Sequence, residues 1–393
     1  MKKILVWLLC AALLLSLCAC GAAEGETPAA AEETPVEETP AAEEQDMKDS
    51  TAQYEALMKA YEEALATLGS KLDAYETDAV VMTVDGQEIT WDVYFYMLYR
   101  AIAEYVNQMG QLPPDFNIQL TEEYTLGQAF KINAENYLRY YAATAAEAAD
   151  QGITVSQEVA AELEEAWAAL SEENGSEEAL VEELKAQGIT KNSIMYYANI
   201  DAICEDLANR LYGDGSSVTN EDAELWAQEN NMVRAKHILL LTEGLSDEEK
   251  TERRAELEEI LAELQGLVGD NAALEERFTE IMNEKSEDTG LAVFTDGYVF
   301  GTGEMVAEFE TAAFALEPYA LSEIVETSYG YHLLLRLPMD KDVIVEFDGQ
   351  SFTPLWTWVA ESQFAETRAQ WAEAAEVVYS DAFADFTVES LFA

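Results

Sequence analysis

Tyr54, Leu57, Tyr61, Leu65 and Leu68 recur at helical spacing and predict a helix from Asp49 to about Lys71. The pattern then changes. Val80-Val81-Met82-Thr83-Val84 reads as a strand, Asp85-Gly86 as a tight turn, and Gln87-Glu88-Ile89 as the returning strand. Thr90 is positioned to cap a helix rich in bulky residues: Trp91, Tyr94, Phe95, Tyr96, Leu98 and Tyr99. Thr121 to about Asp150 reads as one long helix ending at Gly152, and Ser156 caps another reaching Leu170. Ser176 caps a short helix ending at Gly188, and Thr190 caps a longer one to Tyr212. Gly213-Asp214-Gly215-Ser216-Ser217 is the clearest break in the chain, and a last helix after Thr219 leads into Val233.

From Val233 to Pro338 the pattern is different again. The segment opens with Val233-Arg234-Ala235-Lys236-His237-Ile238-Leu239-Leu240-Leu241 and closes with Tyr331-His332-Leu333-Leu334-Leu335, two apolar runs of the kind that suit a covered sheet. Between them, Ser246 and Glu249 form the sequence signature of a capping box for a helix to about Gln265. A second helix covers roughly Ala272 to Lys285, and Gly-rich turns follow. The order strand, helix, helix, strand, helix, strand, strand describes an α+β domain of about one hundred residues. After it, Val343 to Phe347, Asp348-Gly349-Gln350 and Ser351-Phe352-Thr353 lead into Leu355-Trp356-Thr357-Trp358-Val359. The shared Asp-Gly-Gln-x-(Ile/Phe)-Thr makes this a second hairpin-helix unit like the one at Val80.

The chain contains only two histidines, and each lies in one of the two bounding strands. The motifs around them are specific. Lys236-His237-Ile238-Leu239, Ser286-Glu287-Asp288, the run Gly303, Met305, Phe309, Ala312 or Ala313 and Phe314, and the trio Thr327, Gly330 and His332 stand in order. In these residues the segment resembles the parvulin family of peptidyl-prolyl cis/trans isomerases. The resemblance implies a four-stranded antiparallel sheet with helices, and a prolyl-binding site without cofactor. One departure matters: the family's Gly-Asp-Leu-Gly before the third helix is here Thr295-Asp296-Gly297-Tyr298, so the customary pocket leucine is missing.

The resemblance implies catalytic roles for His237, Asp288 and His332, and substrate contacts for Met305, Phe309, Thr327 and Tyr329. Met305 and Phe309 lie four apart, on one face at the start of a helix. Taken alone such a pair is ordinary core, as a single histidine in an apolar strand is. Asp288 taken alone reads as a solvated loop carboxylate. A zinc site from His237, His332 and Asp288 lacks close ligand spacing and a fourth ligand. Recognition of a phosphorylated substrate needs an exposed basic cluster. Arg253-Arg254 fall among glutamates in a helix, where ion pairing is the simpler role. A second reading is a holdase whose isomerase fold is retained without useful turnover, and whose aromatic helices at Trp91–Tyr99 and Trp356–Trp358 bind clients.

The first residues change the picture once more. Lys2-Lys3 followed by Ile4 to Leu17 reads as a signal peptide, residues 1–19. Leu17-Cys18-Ala19-Cys20 resembles a bacterial lipobox, which implies diacylglycerol on Cys20. Residues 20–48 consist mostly of Ala, Glu, Thr, Pro and Gly, a composition that cannot bury enough apolar area to fold. A tether of about thirty residues spans roughly 30 Å. With Cys10 and Cys18 removed and Cys20 modified, Cys204 is the only remaining thiol and no disulfide framework exists. The formal charge of -57 argues against nucleic acid and anionic lipid surfaces as partners.

Residues 49–230 form a helical block whose position before the isomerase segment, 231–338, resembles the chaperone module of SurA-like and PrsA-like foldases. That resemblance implies that residues 339–393 return to the helical block. The expected protein is an α+β isomerase domain inserted in a mostly helical body. Its partners are unfolded or partly folded exported polypeptides with Xaa-Pro bonds, with a membrane reached through the lipid on Cys20. The sequence leaves monomer and homodimer both open.

Overall fold

The computed structural model describes residues 74–109, 111–186, 188–346 and 352–392, together with Lys59, Ser70 and Lys71. The signal peptide, Cys20, the acidic tether, most of the helix expected from Asp49 and the Asp348-Gly349-Gln350 turn lie outside the described residues. The chain divides into two compact units, one of residues up to 210 with 364–393, the other of residues 211–363. Among the described residues no helix is long and apolar enough to cross a membrane.

In the first unit, β1 (Val80–Val84) turns through Asp85 and Gly86, both at positive φ, into β2 (Gln87–Thr90). A further strand, Val377–Tyr379, pairs antiparallel on the other side of β1. Helix α1 (Trp91–Met109) follows β2 directly. Thr90 stands at its start, but its hydroxyl donates to Asp92, whose carboxylate takes the Val93 N–H instead. Trp91, Tyr94, Phe95, Tyr96 and Tyr99 are all buried, so the aromatic face of α1 is core and not a client surface. Tyr94 packs edge-on with Phe383 and Phe386 from the C-terminal residues, and Trp91 packs edge-on with Phe386 and tilted on Phe383.

Four more helices build this body: α2 (Leu126–Asp150), α3 (Gln157–Glu173), α4 (Glu177–Lys185) and α5 (Lys191–Tyr212). Ser156 and Ser176 cap as their positions predict. At Thr190 the hydroxyl accepts the Ser193 N–H. The start expected at Thr121 is corrected to Leu126. The Thr121 hydroxyl accepts the Glu123 and Tyr124 N–H groups in a local turn, while Thr125 and Gln128 form a reciprocal capping box. Arg368 is 1% exposed, its guanidinium 4.1 Å from the Tyr140 ring centre and its Nε donating to Thr144 at 3.0 Å.

The second unit contains a four-stranded, fully antiparallel sheet in the order β4-β3-β6-β5: β3 (Val233–Leu241), β4 (Tyr298–Phe300), β5 (Val325–Glu326) and β6 (Gly330–Leu337). Alternation sorts the side chains of the two long strands onto two faces. Ile238, Leu240, Leu333, Leu335 and Leu337 pack against α7 (Asp247–Gln265) and α8 (Asn271–Lys285), through Leu257, Leu264, Leu274 and Phe278 among others. Val233, Ala235 and Leu334 face the other way, onto Phe309 and Ala313 of α9 (Ala307–Phe314). The Ser246–Glu249 capping box is present at the start of α7. Helix α6 (Asn220–Glu229), capped by Thr219, shares a further core with Val343, Val345, Leu355 and Val359, around the hairpin Ile344–Glu346 and Phe352–Pro354.

Candidate active site

Register brings the two histidines together. In the β3–β6 ladder His237 lies opposite Leu334 and Leu239 opposite His332. His237 and His332 are therefore diagonal neighbours on one face, the face that α9 covers. Their Nδ1 atoms are 3.1 Å apart and their rings nearly parallel, at 15°. The Phe309 ring stands edge-on to both, with centroids at 5.1 Å from His237 and 5.5 Å from His332. Met305, just before α9, is partly buried against the same cluster.

The Ser-Glu-Asp motif is fastened to the edge of β3. Ser286 Oγ accepts the Leu239 N–H at 3.0 Å, the Glu287 N–H donates to the Leu239 carbonyl, and a Glu287 carboxylate oxygen accepts the Leu241 N–H. These bonds hold Asp288 so that its Oδ2 lies 2.9 Å from His237 Nε2. On the far side, Thr327 Oγ1 is 2.8 Å from His332 Nε2. Gly330 makes the turn before β6, where a Cβ would run into the Leu240 carbonyl. Tyr329 is 56% exposed on that turn, and its N–H donates to Thr327. His237, Asp288, His332, Met305, Phe309 and Thr327 are thus brought together; Tyr329 joins them through its backbone N–H, with its side chain exposed.

The charge state of Asp288 sets the direction of its bond with His237. Burial pushes its carboxyl up, but hydrogen bonds from His237, Tyr298 and the Gly290 N–H outweigh that and bring it down to about 2. An ionised Asp288 requires a proton on His237 Nε2. In neutral His237, Nδ1 then accepts, so His332 Nδ1 must donate and His332 Nε2 accepts the Thr327 hydroxyl. His332 is held neutral: burial, and then the neighbouring His237, push it down to about 4. With His237 neutral, the row runs with one orientation from Thr327 through both rings to Asp288.

Tyr298, at the position of the altered loop, has a place that sequence patterns did not disclose. Its hydroxyl donates to Asp288 Oδ2 at 2.6 Å, the oxygen that His237 also uses. Its ring stands edge-on to His237 at 5.6 Å and packs on Phe294 at 4.6 Å. The only signal was a large side chain where the resembling family has glycine. The basic pair expected to form ion pairs does so, Arg253 with Glu287 at 3.0 Å and Arg254 with Glu258 at 3.3 Å. Two buried cations of β3 were not foreseen: Lys236 meets Glu275 and Thr279, and Arg234 donates to the carbonyls of Asp296 and Pro338.

Residues 237–337 match the Rotamase family, described as a PPIC-type PPIASE domain. The Foldase protein PrsA of Halalkalibacterium halodurans is 28% identical over 269 residues, 67% of this chain and 66% of that protein. The Foldase protein PrsA of Oceanobacillus iheyensis is 35% identical over 131 residues, 33% of this chain and 37% of that protein. The chain thus spans no more than 66% of the length of these two relatives. Among solved structures, PrsA from Bacillus subtilis aligns at 19% identity over 67% of this chain and 93% of that one, with a TM-score of 0.23 that is too low to bear on the fold. The family match begins at His237 and ends with β6, the same residues that build the sheet and the histidine pair, so it is this segment that is similar to the PPIC-type PPIase family.

Proposed function

We propose that this protein is an exported peptidyl-prolyl cis/trans isomerase that also holds unfolded polypeptides. The observation that carries the reading is the contact between His237 and His332 beneath Phe309, with Asp288 on the outer nitrogen of His237.

Amide resonance locks a prolyl bond behind a barrier of about 20 kcal/mol. Rotation makes and breaks no bond, so the enzyme has only to bind the twisted amide better than the planar one. Twisting draws charge away from the carbonyl oxygen and leaves the prolyl nitrogen a better acceptor. Met305 and Phe309 form the slot for the pyrrolidine ring. The Asp288 carboxylate disfavours the negative carbonyl oxygen of the planar form, and the oriented histidines hold the fixed polar floor. Thr327 holds His332, and Tyr329 lines the outer lip for residues flanking proline.

Residues 1–19 direct export, Cys20 carries the lipid that holds the chain at the outer face of a bacterial cytoplasmic membrane, and residues 20–48 are the tether. Residues 49–230 form the client-holding module, 231–338 the isomerase, and 339–393 the returning hairpin and helix. That return is supported by residues 364–393 sharing a unit with residues up to 210. Clients are unfolded exported polypeptides with Xaa-Pro bonds.

The test is exchange NMR of short Xaa-Pro peptides with wild type, Asp288→Ala and His237→Ala. Wild type should accelerate isomerisation, and each variant should lose about tenfold or more. Folded wild type without acceleration over several peptides would leave client holding as the function.

A further inference from the structure

We propose that Tyr298 is a positioning residue of this site: its hydroxyl clamps the Asp288 carboxylate, which keeps His237 in the Nε2–H form, and its ring closes the pocket wall that Gly297 leaves open. The proposal deepens the isomerase reading and rests on it. Three donors converge on Asp288: Tyr298 and His237 share Oδ2, and the Gly290 N–H takes Oδ1 at 3.0 Å. Without the tyrosine, Oδ2 would be held only by His237, and the carboxylate would keep two of its three donors.

The surrounding chain is shaped to admit this hydroxyl. Gly290 has no side chain where the hydroxyl passes, and a Cβ there would collide with its oxygen. Arg234 grips the Asp296 carbonyl with two N–H groups, at 2.8 and 3.0 Å, which fixes the loop immediately before Tyr298. On the other side the ring packs on Phe294 at 4.6 Å, and Phe294 meets Phe352 at 5.9 Å. An aromatic wall therefore stands where the resembling family has a leucine followed by glycine. Tyr298 does not replace the leucine atom for atom. It brings in a hydrogen-bond donor that leucine lacks.

Asp288 is faced by His237 from β3, Tyr298 from β4 and, at longer range, His332 from β6; Glu287 beside it is engaged by Arg253. Removing one donor should raise the pH at which Asp288 takes up a proton. The experiment uses the full chain as wild type, Tyr298→Phe and Gly290→Ala. Tyr298→Phe keeps the ring, and Gly290→Ala keeps the hydroxyl but drives it off its path. Carbon-detected NMR of the Asp288 carboxyl should report a higher titration midpoint in both. Nitrogen NMR should show His237 losing its single Nε2–H form, and kcat/KM should fall about threefold to tenfold. An unchanged Asp288 midpoint and unchanged His237 tautomer in folded Tyr298→Phe would overturn the proposal. The titrations need no turnover, so an inactive wild type would overturn the isomerase reading alone.

Discussion

His237 and His332 share one hydrogen bond between like atoms, Nδ1 to Nδ1 at 3.1 Å. Two such atoms bond only if one carries the proton, so protonating both rings would break the pair. His332 sits at about 4, below the ordinary 6.5, so the unfolded chain binds its proton first as pH falls. This group's contribution is complete above about 6.5 and is lost as pH drops toward about 4. The loss amounts to about 3 kcal/mol by linkage. Asp288 acts in the same direction in a lower window, from its ordinary 3.8 down to about 2. Urea titrations of the full chain, followed on NMR signals of the β3–β6 ladder, should show stability falling between pH 7 and 4.5. His332→Gln should flatten that slope, and an equal slope in the variant would refute the assignment.

Thr327 should matter through its hydroxyl and not its bulk. It supplies the proton that His332 Nε2 accepts, at 2.8 Å. Thr327→Ser should keep most of kcat/KM, whereas Thr327→Val, of nearly equal volume, should lose about threefold to tenfold. Similar losses in both variants would mean that the methyl group is what counts.

Phe309 serves both the core and the pocket, and Met305 lies nearer the edge. Phe309 is 3% exposed and packs on Phe300 as well as on both histidines. Phe309→Ala should destabilise the unit by about 3–5 kcal/mol, and Met305→Ala by clearly less. Both should weaken binding of Xaa-Pro peptides. Denaturation together with peptide titration separates the two effects, and a Met305→Ala variant with unaltered peptide binding would remove Met305 from the pocket.

Ser246 offers a stability control away from the site. Its hydroxyl accepts the Glu249 N–H while Glu249 returns to the Ser246 N–H. Ser246→Ala should cost about 1 kcal/mol and leave turnover unaltered at temperatures where the domain is folded. A change in kcat would show that α7 communicates with the site.

Short-range chemistry was the readable part of this chain. Ser156, Ser176, Thr219 and Ser246 cap helices because capping is decided within four residues. Thr121 shows the limit: a second threonine four residues on, with Gln128 in reach, forms the better cap. His237, Asp288 and His332 could be named from spacing and resemblance, but the direction of the bonds between them follows from burial and distance. Tyr298 escaped notice because its partner lies ten residues earlier across a turn, with no period to betray it. Arg368 escaped for a related reason. A charged residue on a helix is ordinarily solvated, and only the Tyr140 ring and Thr144 hydroxyl, over two hundred residues away, make its burial tolerable.

The β3–β6 ladder sets Arg234 opposite Leu337. The polypeptide therefore enters and leaves this sheet one strand spacing apart, about 4.8 Å. To the rest of the chain the whole sheet with its helices is equivalent to one tight turn. Such a segment can be inserted into or removed from a chain without re-threading anything around it.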